Sequence, residues 1–461
     1  MVVFAVVGHP NKGKSSLVTT LSENDRILVG AIPGTTKRAN RYDFSIDAEV
    51  LYSLVDTPGF QRAKAVLDWL EAHAKDASDR SNVVAQFVRL HEHDGRFYNE
   101  VELLRPIVAG AGILYVVDGA KPYGPEFEIE MQILRWTGNP RLALINLTAK
   151  GDYIGQWQSA LAQYFSIVRV FDARRADFAS RLHLLSAFSE LNEAWRPFMS
   201  RAIDALVNER RRRLVLSATE VANALLDCMS YTESAVLTQD HNRAQLQHAL
   251  RDQLRARLQN REAQARHCVQ SFYGHSALQR REEALRLLDV DLFAERGWAL
   301  FGLSKMRLMV TGTAAGALAG LSVDALAGGT TLLFGASVGA LVGGVGTWLG
   351  GDELAKAKVL GSPLGGTTLR VGPVSAPNFP WVFLGRAWAH HHLVAERNHA
   401  LRDAISTVIA EQGNVMDRVD HALRRELAQI FLALGKEGRT AALVDRLKER
   451  VITLLEASPG A

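Results

Sequence analysis

The start of the chain carries the feature that most restricts the fold. An apolar run at residues 2–7 leads directly into GHPNKGKS, Gly8 to Ser15, and a helix-forming stretch follows. A glycine-rich loop between a strand and a helix lets backbone N–H groups point at a phosphate, while its lysine and hydroxyl reach phosphate oxygens and Mg²⁺. The sequence therefore predicts a phosphate-binding loop with Lys14 as its cation and Ser15 as a magnesium ligand.

Apolar runs of strand length recur up to about residue 190. They read VVFAVVG, VLYSLVD, ILYVVDG, RLALIN and IVRVF, with helical stretches between them. Buried parallel strands have this continuous apolar pattern, with crossover helices connecting them. We predict one doubly wound α/β domain over residues 1–190. Helix-forming residues at about 61–98 predict a helical insertion, which is either an inert surface helix pair or an arm that contacts a partner.

A second element of the phosphate site follows VLYSLVD, where the chain reads DTPG at 56–59. A carboxylate at a strand end, here Asp56, can hold Mg²⁺ through water, and the N–H of Gly59 can face a γ-phosphate. PGTTKR lies between the two motifs. One of its hydroxyls, Thr35 or Thr36, is expected to complete the metal shell, although either alone is also typical of a capped turn.

Together, GHPNKGKS, GTTK and DTPGF resemble the phosphate-loop GTPases of the translation-factor class, specifically the Era, TrmE and EngA-like branch. The resemblance covers about residues 1–190 and implies binding and hydrolysis of GTP with Mg²⁺. It implies Lys14, Thr36 and Gly59 as the catalytic groups. The metal ligands it implies are Ser15, Thr36, Asp56 and Asn11. The nucleotide contacts it implies are Gly8, Asn11, Lys12, Gly13, Lys14, Ser15, Ser16, Thr35, Asn146 and Ala173.

Phe60 follows the glycine of DTPG, where Ras-like enzymes have a glutamine that orients the attacking water. A phenyl ring has no hydrogen-bonding group, so Phe60 cannot position water. Some members of the resembled branch use a potassium ion held partly by the loop asparagine, here Asn11, so the resemblance implies hydrolysis stimulated by K⁺. The alternative is a nucleotide sensor with little intrinsic hydrolysis.

The motif that recognises the base is degenerate. The resembled branch has N-K-x-D at the end of the fifth strand, whereas here Asn146 is followed by LTA. Without a carboxylate, two N–H groups of guanine lose their acceptor. Asp152 is a substitute if the loop is shifted, and Ala173 in FDAR aligns with the alanine of the branch's S-A-K loop. The preference for GTP over ATP therefore rests on the resemblance.

The remainder of the chain is predicted to be mainly helical. Over 191–305, leucines at every fourth position predict a helical packing face. Those leucines are Leu246, Leu250, Leu254 and Leu258. Over 353–461 we expect a small loop or β-hairpin region, including WVFLG and extending to Leu384, followed by helices from Arg386 onward.

Two glycine repeats lie between these helical regions, GTAAGALAG from Gly312 and GASVGALVG from Gly335. Apart from Asp324, residues 308–351 carry no charge. Small residues at every fourth position let two helices approach closely, so we predict a glycine-zipper hairpin at 306–352. Contact with lipid or a membrane protein at the cytoplasmic membrane is the favoured interpretation, and burial within the helical domain is the alternative.

Composition limits the partners and the compartment. A net charge of +4 over 461 residues gives no general nucleic-acid-binding field, and the two cysteines, Cys228 and Cys268, suit a reducing cytoplasm. We therefore expect a GTP-dependent switch that couples its nucleotide state to a membrane-associated helical domain and to an unidentified protein partner. A nucleotide-dependent homodimer also remains open. The alternative is a GTPase of RNA or ribosome assembly, for which the sequence offers no recognisable RNA-binding module.

Overall fold

The computed structural model describes most of the chain, with gaps. The described residues are 2–9, 14–22, 39–46, 49–147, 151–172, 176, 178–237, 242–273, 301, 358–359, 362–363, 367–395, 416 and 419–457. They belong to two compact units, and the division between the units falls at Arg210 and Arg211. The predicted glycine-zipper hairpin at 306–352 lies outside the described residues.

The first unit is built on a six-stranded sheet in the order β2-β3-β1-β4-β5-β6. Only β2 is antiparallel to its neighbour, β3, while the other neighbouring pairs are parallel. The strands are β1 (Val2–Val7), β2 (Asn40–Ile46), β3 (Glu49–Asp56), β4 (Gly112–Asp118), β5 (Arg141–Asn146) and β6 (Ile167–Val170). All five predicted apolar runs therefore form strands.

Both faces of this sheet are covered by helices, which confirms the predicted doubly wound fold. Along β1, Phe4 and Val6 point into one hydrophobic cluster, whereas Ala5 and Val7 point into another on the opposite face. This alternation follows from the two-residue period of a strand. The helices are α1 (Lys14–Ser22), α2 (Ala63–His73), α3 (Arg80–Leu90), α4 (Tyr98–Val108), α5 (Glu126–Trp136), α6 (Ile154–Leu161) and α7 (Phe178–Leu191).

The second unit is mainly helical and has its own hydrophobic core. Leu250, Leu254 and Leu258 are buried in that core, and Leu246 packs against it, which confirms the leucine packing face. The unit division falls within α8 (Arg196–Ser230). The later elements are β7 (Glu233–Leu237), α9 (Arg243–Phe272), β8 (Lys358–Val359), β9 (Ser362–Pro363), β10 (Thr367–Val371), α10 (Phe379–Ala395), α11 (His421–Glu437) and α12 (Ala441–Glu456).

In the expected loop or β-hairpin region up to Leu384, β8 and β9 pair antiparallel, with Lys358 opposite Pro363, but the expectation is wrong in two other respects. TTLRV forms β10, but its partner is the distant strand β7, with Thr367 opposite Leu237 and Val371 opposite Glu233. WVFLG is helical, because α10 already begins at Phe379. Pro380 does not prevent this, since the first turn of a helix needs no N–H donors for its own hydrogen bonds.

Helix α10 is buried along nearly its whole length and carries charged and polar side chains into the core of the second unit. Arg386 donates to both carboxylate oxygens of Glu262 on α9, over 2.5 and 3.2 Å. Further along α10, His390 Nε2 lies 3.3 Å from Gln270 Nε2. Burial lowers the pKa of His390 to about 3, and the positive charge of Arg266 acts in the same direction. This core therefore holds its polar groups through specific pairs.

Candidate nucleotide site

The site lies at the carboxyl edge of the sheet, beyond the end of β1. This strand lies between β3 and β4, with Val6 opposite Asp56 and Val7 opposite Tyr115. Open α/β sheets bind ligands at such a point, where neighbouring strands connect in opposite directions. The phosphate loop begins here with Gly8.

Gly8 is required by its surroundings. Its φ is +147°, and a Cβ at this position would collide with the backbone carbonyl oxygen of Val116 on β4. Both conditions exclude larger residues, so the first glycine of GHPNKGKS lets the loop leave the sheet in close contact with the neighbouring strand.

Lys14 begins α1 and folds back over the start of the loop. Its Nζ donates to the carbonyl oxygens of Gly8 at 2.9 Å and of His9 at 3.3 Å. Burial lowers the pKa of Lys14, and the negative charges of Asp56 and Glu130 act in the opposite direction. The loop thus has a buried ammonium group with two carboxylates close to it.

Ser15 and Asp56 are brought together from distant parts of the sequence. The hydroxyl of Ser15 donates to Oδ2 of Asp56 over 2.8 Å, and Asp56 is buried at the end of β3. Hydroxyl and carboxylate oxygens are the hard ligands that Mg²⁺ prefers, so this pair fits the ion. The other two predicted metal ligands, Thr36 and Asn11, lie outside the described residues.

The segment DTPGF is buried from Asp56 to Phe60. At its start, the N–H and the hydroxyl of Thr57 both donate to the carbonyl oxygen of Val6, at 3.4 and 2.8 Å. At its end, the Phe60 ring packs into the hydrophobic cluster shared by α2 to α5. The ring therefore has a packing role, and it carries no group that could position water.

Two buried glutamates near the site were missed at the sequence level. Glu100 on α4 accepts the backbone N–H groups of Gln61 and Arg62, at 2.8 and 2.6 Å. Glu130 on α5 accepts the Tyr115 hydroxyl at 2.8 Å, and its other oxygen lies 3.1 Å from Nδ1 of His9. No local sequence motif identifies either glutamate, because the groups that bind Glu100 and Glu130 are distant from them in the sequence.

The Glu130 cluster connects the phosphate loop with the sheet. Burial raises the pKa of Tyr115, and the charge of Glu130 and its hydrogen bond with the phenol raise it further. His9 is 43% exposed at its side chain, whereas Glu130 is 3% exposed. The sequence feature that could have indicated this cluster is His9, an ionisable side chain inside GHPNKGKS.

At the expected base site, Asn146 ends β5 beside Asp118 of β4 and is buried. Its carbonyl oxygen accepts the N–H of Gly119 at 2.8 Å, and the carbonyl of Gly119 accepts the N–H of Tyr153 at 3.1 Å. These bonds bring the chain after β5 back across the end of β4. Asp152 is exposed next to Tyr153.

The remaining predicted contacts divide into two groups. The backbone of Ser16 lies within α1, and Gly59 lies in the buried DTPGF segment. Lys12, Gly13, Thr35 and Ala173 lie outside the described residues, so their proposed roles stay predictions.

The described residues contain neither a metal cluster nor a membrane-spanning helix. Among the positions that the structure describes, three or more His, Cys, Asp or Glu side chains nowhere gather in an arrangement that could hold a metal ion. Nor is any helix in those parts of the chain both long and apolar enough to cross a membrane.

The sheet order, the glycine loop after its central strand and the adjacent Ser15 and Asp56 define a phosphate-loop nucleotide-binding domain of the GTPase type. Residues 3–146 match the family described as 50S ribosome-binding GTPase. Residues 158–449 match the family described as Domain of unknown function (DUF3482). This second match covers more than half of the chain, and the protein belongs to that family.

Two similar proteins are GTPases named Der. GTPase Der of Nitrosococcus oceani is 36% identical over 118 residues, which is 25% of this chain and 25% of that protein. GTPase Der of Latilactobacillus sakei is 34% identical over 122 residues, 25% of this chain and 28% of that protein. The chain thus spans about a quarter of the length of these relatives.

One solved structure similar to this chain is Aquifex aeolicus Era bound to GDP and AlF₄⁻. It is 14% identical in sequence and covers 53% of this chain and 75% of its own, with a TM-score of 0.30.

Proposed function

We propose that the protein is a switch that binds and hydrolyses GTP. The observation that carries this proposal is the contact between Ser15 and Asp56 beside the buried ammonium group of Lys14. A hydroxyl, a carboxylate and a lysine at the end of the central strand are the groups that a magnesium nucleoside triphosphate needs. The match of residues 3–146 to a GTPase family supports the same activity.

Each residue has a definite role in this proposal. Ser15 and Asp56 would hold Mg²⁺ together with Thr36, and the ion would supply positive charge to the phosphate oxygens. Lys14 binds the β- and γ-phosphates, since its ammonium group lies at the start of the loop. The N–H of Gly59 contacts the γ-phosphate, and the lack of a side chain at Gly8 lets the loop curl.

Guanine is the proposed base. Asn146 and Ala173 contact it, and Asp152 is the candidate acceptor for the guanine N–H groups because it is exposed beside the chain that returns across β4. The matched GTPase family supports guanine over adenine.

A direct test measures nucleotide binding and phosphate release by the purified full chain with GTP and with ATP in Mg²⁺. We expect binding and release with GTP, and a strong loss of both with Ser15→Ala, which removes a proposed magnesium ligand and keeps the charges of Lys14 and Asp56. Turnover of ATP equal to that of GTP would overturn the guanine assignment. Absence of GTP binding at millimolar Mg²⁺ would overturn the function.

Potassium assistance is a finer part of the proposal. Phe60 is buried in the core, so the DTPG segment offers no side chain at that position to orient water. A cation held by Asn11 supplies the missing stabilisation of charge. Hydrolysis should be faster in KCl than in NaCl at equal ionic strength, and equal rates would reject this part alone.

The output of the switch has two candidates. The glycine repeats in 308–351 favour contact with a membrane. Flotation of the full chain with liposomes, compared with a variant that lacks 308–351, tests this. The name of the matched family favours the large ribosomal subunit instead. Co-sedimentation with purified 50S subunits, in the presence of a non-hydrolysable GTP analogue or GDP, tests the second candidate.

A further inference from the structure

Helix α4 contacts residues from two separate parts of the chain, one directly after DTPGF and one directly after PGTTKR. Glu100 accepts the N–H groups of Gln61 and Arg62, which directly follow DTPGF. Glu102 accepts the N–H of Ala39, which directly follows PGTTKR, at 3.1 Å. Residues two apart in a helix point in widely different directions. A single turn of α4 therefore reaches two segments that lie on different sides of it.

The burial and the hydrogen bonds of Glu100 allow it to fix the positions of Gln61 and Arg62. It is 1% exposed, and a buried carboxylate is costly unless donors surround it. Both donors come from the start of α2, where the N-cap residue Arg62 makes no side-chain capping bond. The positive end of the α2 dipole adds to the attraction. Glu100 thus caps α2 from another helix, and it does so with charge-assisted hydrogen bonds.

The DTPGF segment is tied at both ends as a result. Thr57 binds the carbonyl of Val6 at one end, and Glu100 holds Gln61 and Arg62 at the other. Gly59 lies between these anchors. A displacement of Gly59 therefore requires one of the two anchors to give way.

Glu102 connects its segment with the loop between α3 and α4. Its Oε1 lies 3.3 Å from Nη1 of Arg105, and Nη2 of Arg105 lies 3.3 Å from Glu92. Glu102 is 14% exposed, so its bond with Ala39 is partly shielded from water. Ala39 is thereby linked to the same helix that holds Gln61 and Arg62.

We propose that Glu100 and Glu102 are positioning residues for hydrolysis. Glu100 holds DTPGF in the arrangement that acts on the γ-phosphate, Glu102 holds Ala39, and α4 transmits a movement at one of these positions to the other. This inference rests on the proposed GTPase function and assigns the regulation of that same site to one helix.

The test compares steady-state hydrolysis of GTP, nucleotide affinity and amide hydrogen exchange in the full chain. The variants are Glu100→Ala, Glu100→Gln and Glu102→Ala. The matched control is Glu71→Gln, an exposed glutamate on α2 that contacts Gln132. Thermal unfolding of each variant reports whether it is folded.

We expect Glu100→Ala to lower kcat about tenfold with KM for GTP changed less than about twofold, because a positioning residue acts after binding. Glu100→Gln should recover most of this loss, since its amide oxygen still accepts both N–H groups. Glu102→Ala should lower kcat about threefold. Exchange should accelerate at Gln61 and Arg62 in Glu100→Ala, and also in Glu102→Ala if α4 couples the segments.

The outcomes separate this inference from the function itself. If the unchanged protein hydrolyses GTP and both alanine variants match Glu71→Gln in kcat and exchange, the positioning role is overturned. If Glu100→Ala does not fold, equal kcat for Glu102→Ala and the control overturns it. If the unchanged protein neither binds nor hydrolyses GTP, the proposed function fails instead.

Discussion

The hydroxyl of Ser15 donates to a carboxylate oxygen of Asp56 over 2.8 Å, although 41 residues separate them in the sequence. The parallel pairing of β1 with β3 creates this contact, since it places Val6 beside Asp56 and so brings the two strand ends together. In the proposed function these two residues hold the same Mg²⁺ ion.

Replacement of Asp56 should lower the affinity of the nucleotide site for Mg²⁺. Asp56→Asn keeps the shape of the side chain and removes its charge, and a carboxylate that holds the ion through water contributes about 10- to 100-fold in metal affinity. We expect the Mg²⁺ concentration for half-maximal nucleotide binding to rise by that factor. Titration of Mg²⁺ against a fluorescent GTP analogue measures it. Asp68→Asn, on the exposed face of α2, is the control, and an unchanged midpoint in Asp56→Asn would contradict the prediction.

Replacement of Gly8 should cost stability as well as nucleotide binding. Gly8→Ala adds a Cβ against the carbonyl of Val116 at a φ of +147°. Gly110→Ala is the matched control, because its φ of +100° is also unfavourable but no atom lies within 4 Å of its Cβ. We expect Gly8→Ala to lose at least about 1 kcal/mol more than the control. Equal losses in urea unfolding would show that the collision with Val116 is relieved at little cost.

The buried ion pair of Arg386 and Glu262 predicts a strongly non-additive result. Arg386→Met leaves the Glu262 carboxylate buried without its main partner, which typically costs about 3–5 kcal/mol. The double variant Arg386→Met with Glu262→Leu removes both charges and should lose clearly less. Urea unfolding of the two single variants and the double variant provides the cycle. Additive losses would mean that the pair contributes through packing alone.

His390 should make the second unit sensitive to acid. Its pKa is lowered from 6.5 to about 3 on folding, so the unfolded chain binds the additional proton between these values. Stability should therefore fall as the pH is lowered through this window, by up to about 1.4 kcal/mol per pH unit from this residue. His390→Gln should reduce the slope in unfolding measurements between pH 7 and 5. Equal slopes for the unchanged protein and His390→Gln would contradict the prediction.

Local patterns in the sequence were sufficient for the central strands and for the positions of Lys14, Ser15 and Asp56. Continuous apolar runs identified five strands, and GHPNKGKS and DTPG placed Lys14, Ser15 and Asp56 at one edge of the sheet. The edge strand β2 was missed because NRYDFSI alternates polar with apolar residues, and only Phe44 is fully buried among the side chains described there.

The supporting groups could not be found in the same way. Glu100 lies 38 and 39 residues from the N–H groups that it accepts, and Glu130 lies 121 residues from His9. Each looks like an ordinary acidic residue of a helix, and its role arises only when the helix packs against the sheet. The prolines before Arg386 predict that no helix forms there. Pro380 nevertheless lies in the first turn of α10, where a helix tolerates proline.

The surroundings of Lys14 also affect how genetic experiments on this protein should be designed. Substitution of the phosphate-loop lysine is a natural choice for an inactive allele. Here it would remove the positive charge that interacts with Asp56 and Glu130, both of which are buried. A cell carrying that allele could lose the folded protein along with its activity. Ser15→Ala retains all three charges, so the phenotype of that allele would report the loss of nucleotide chemistry more cleanly.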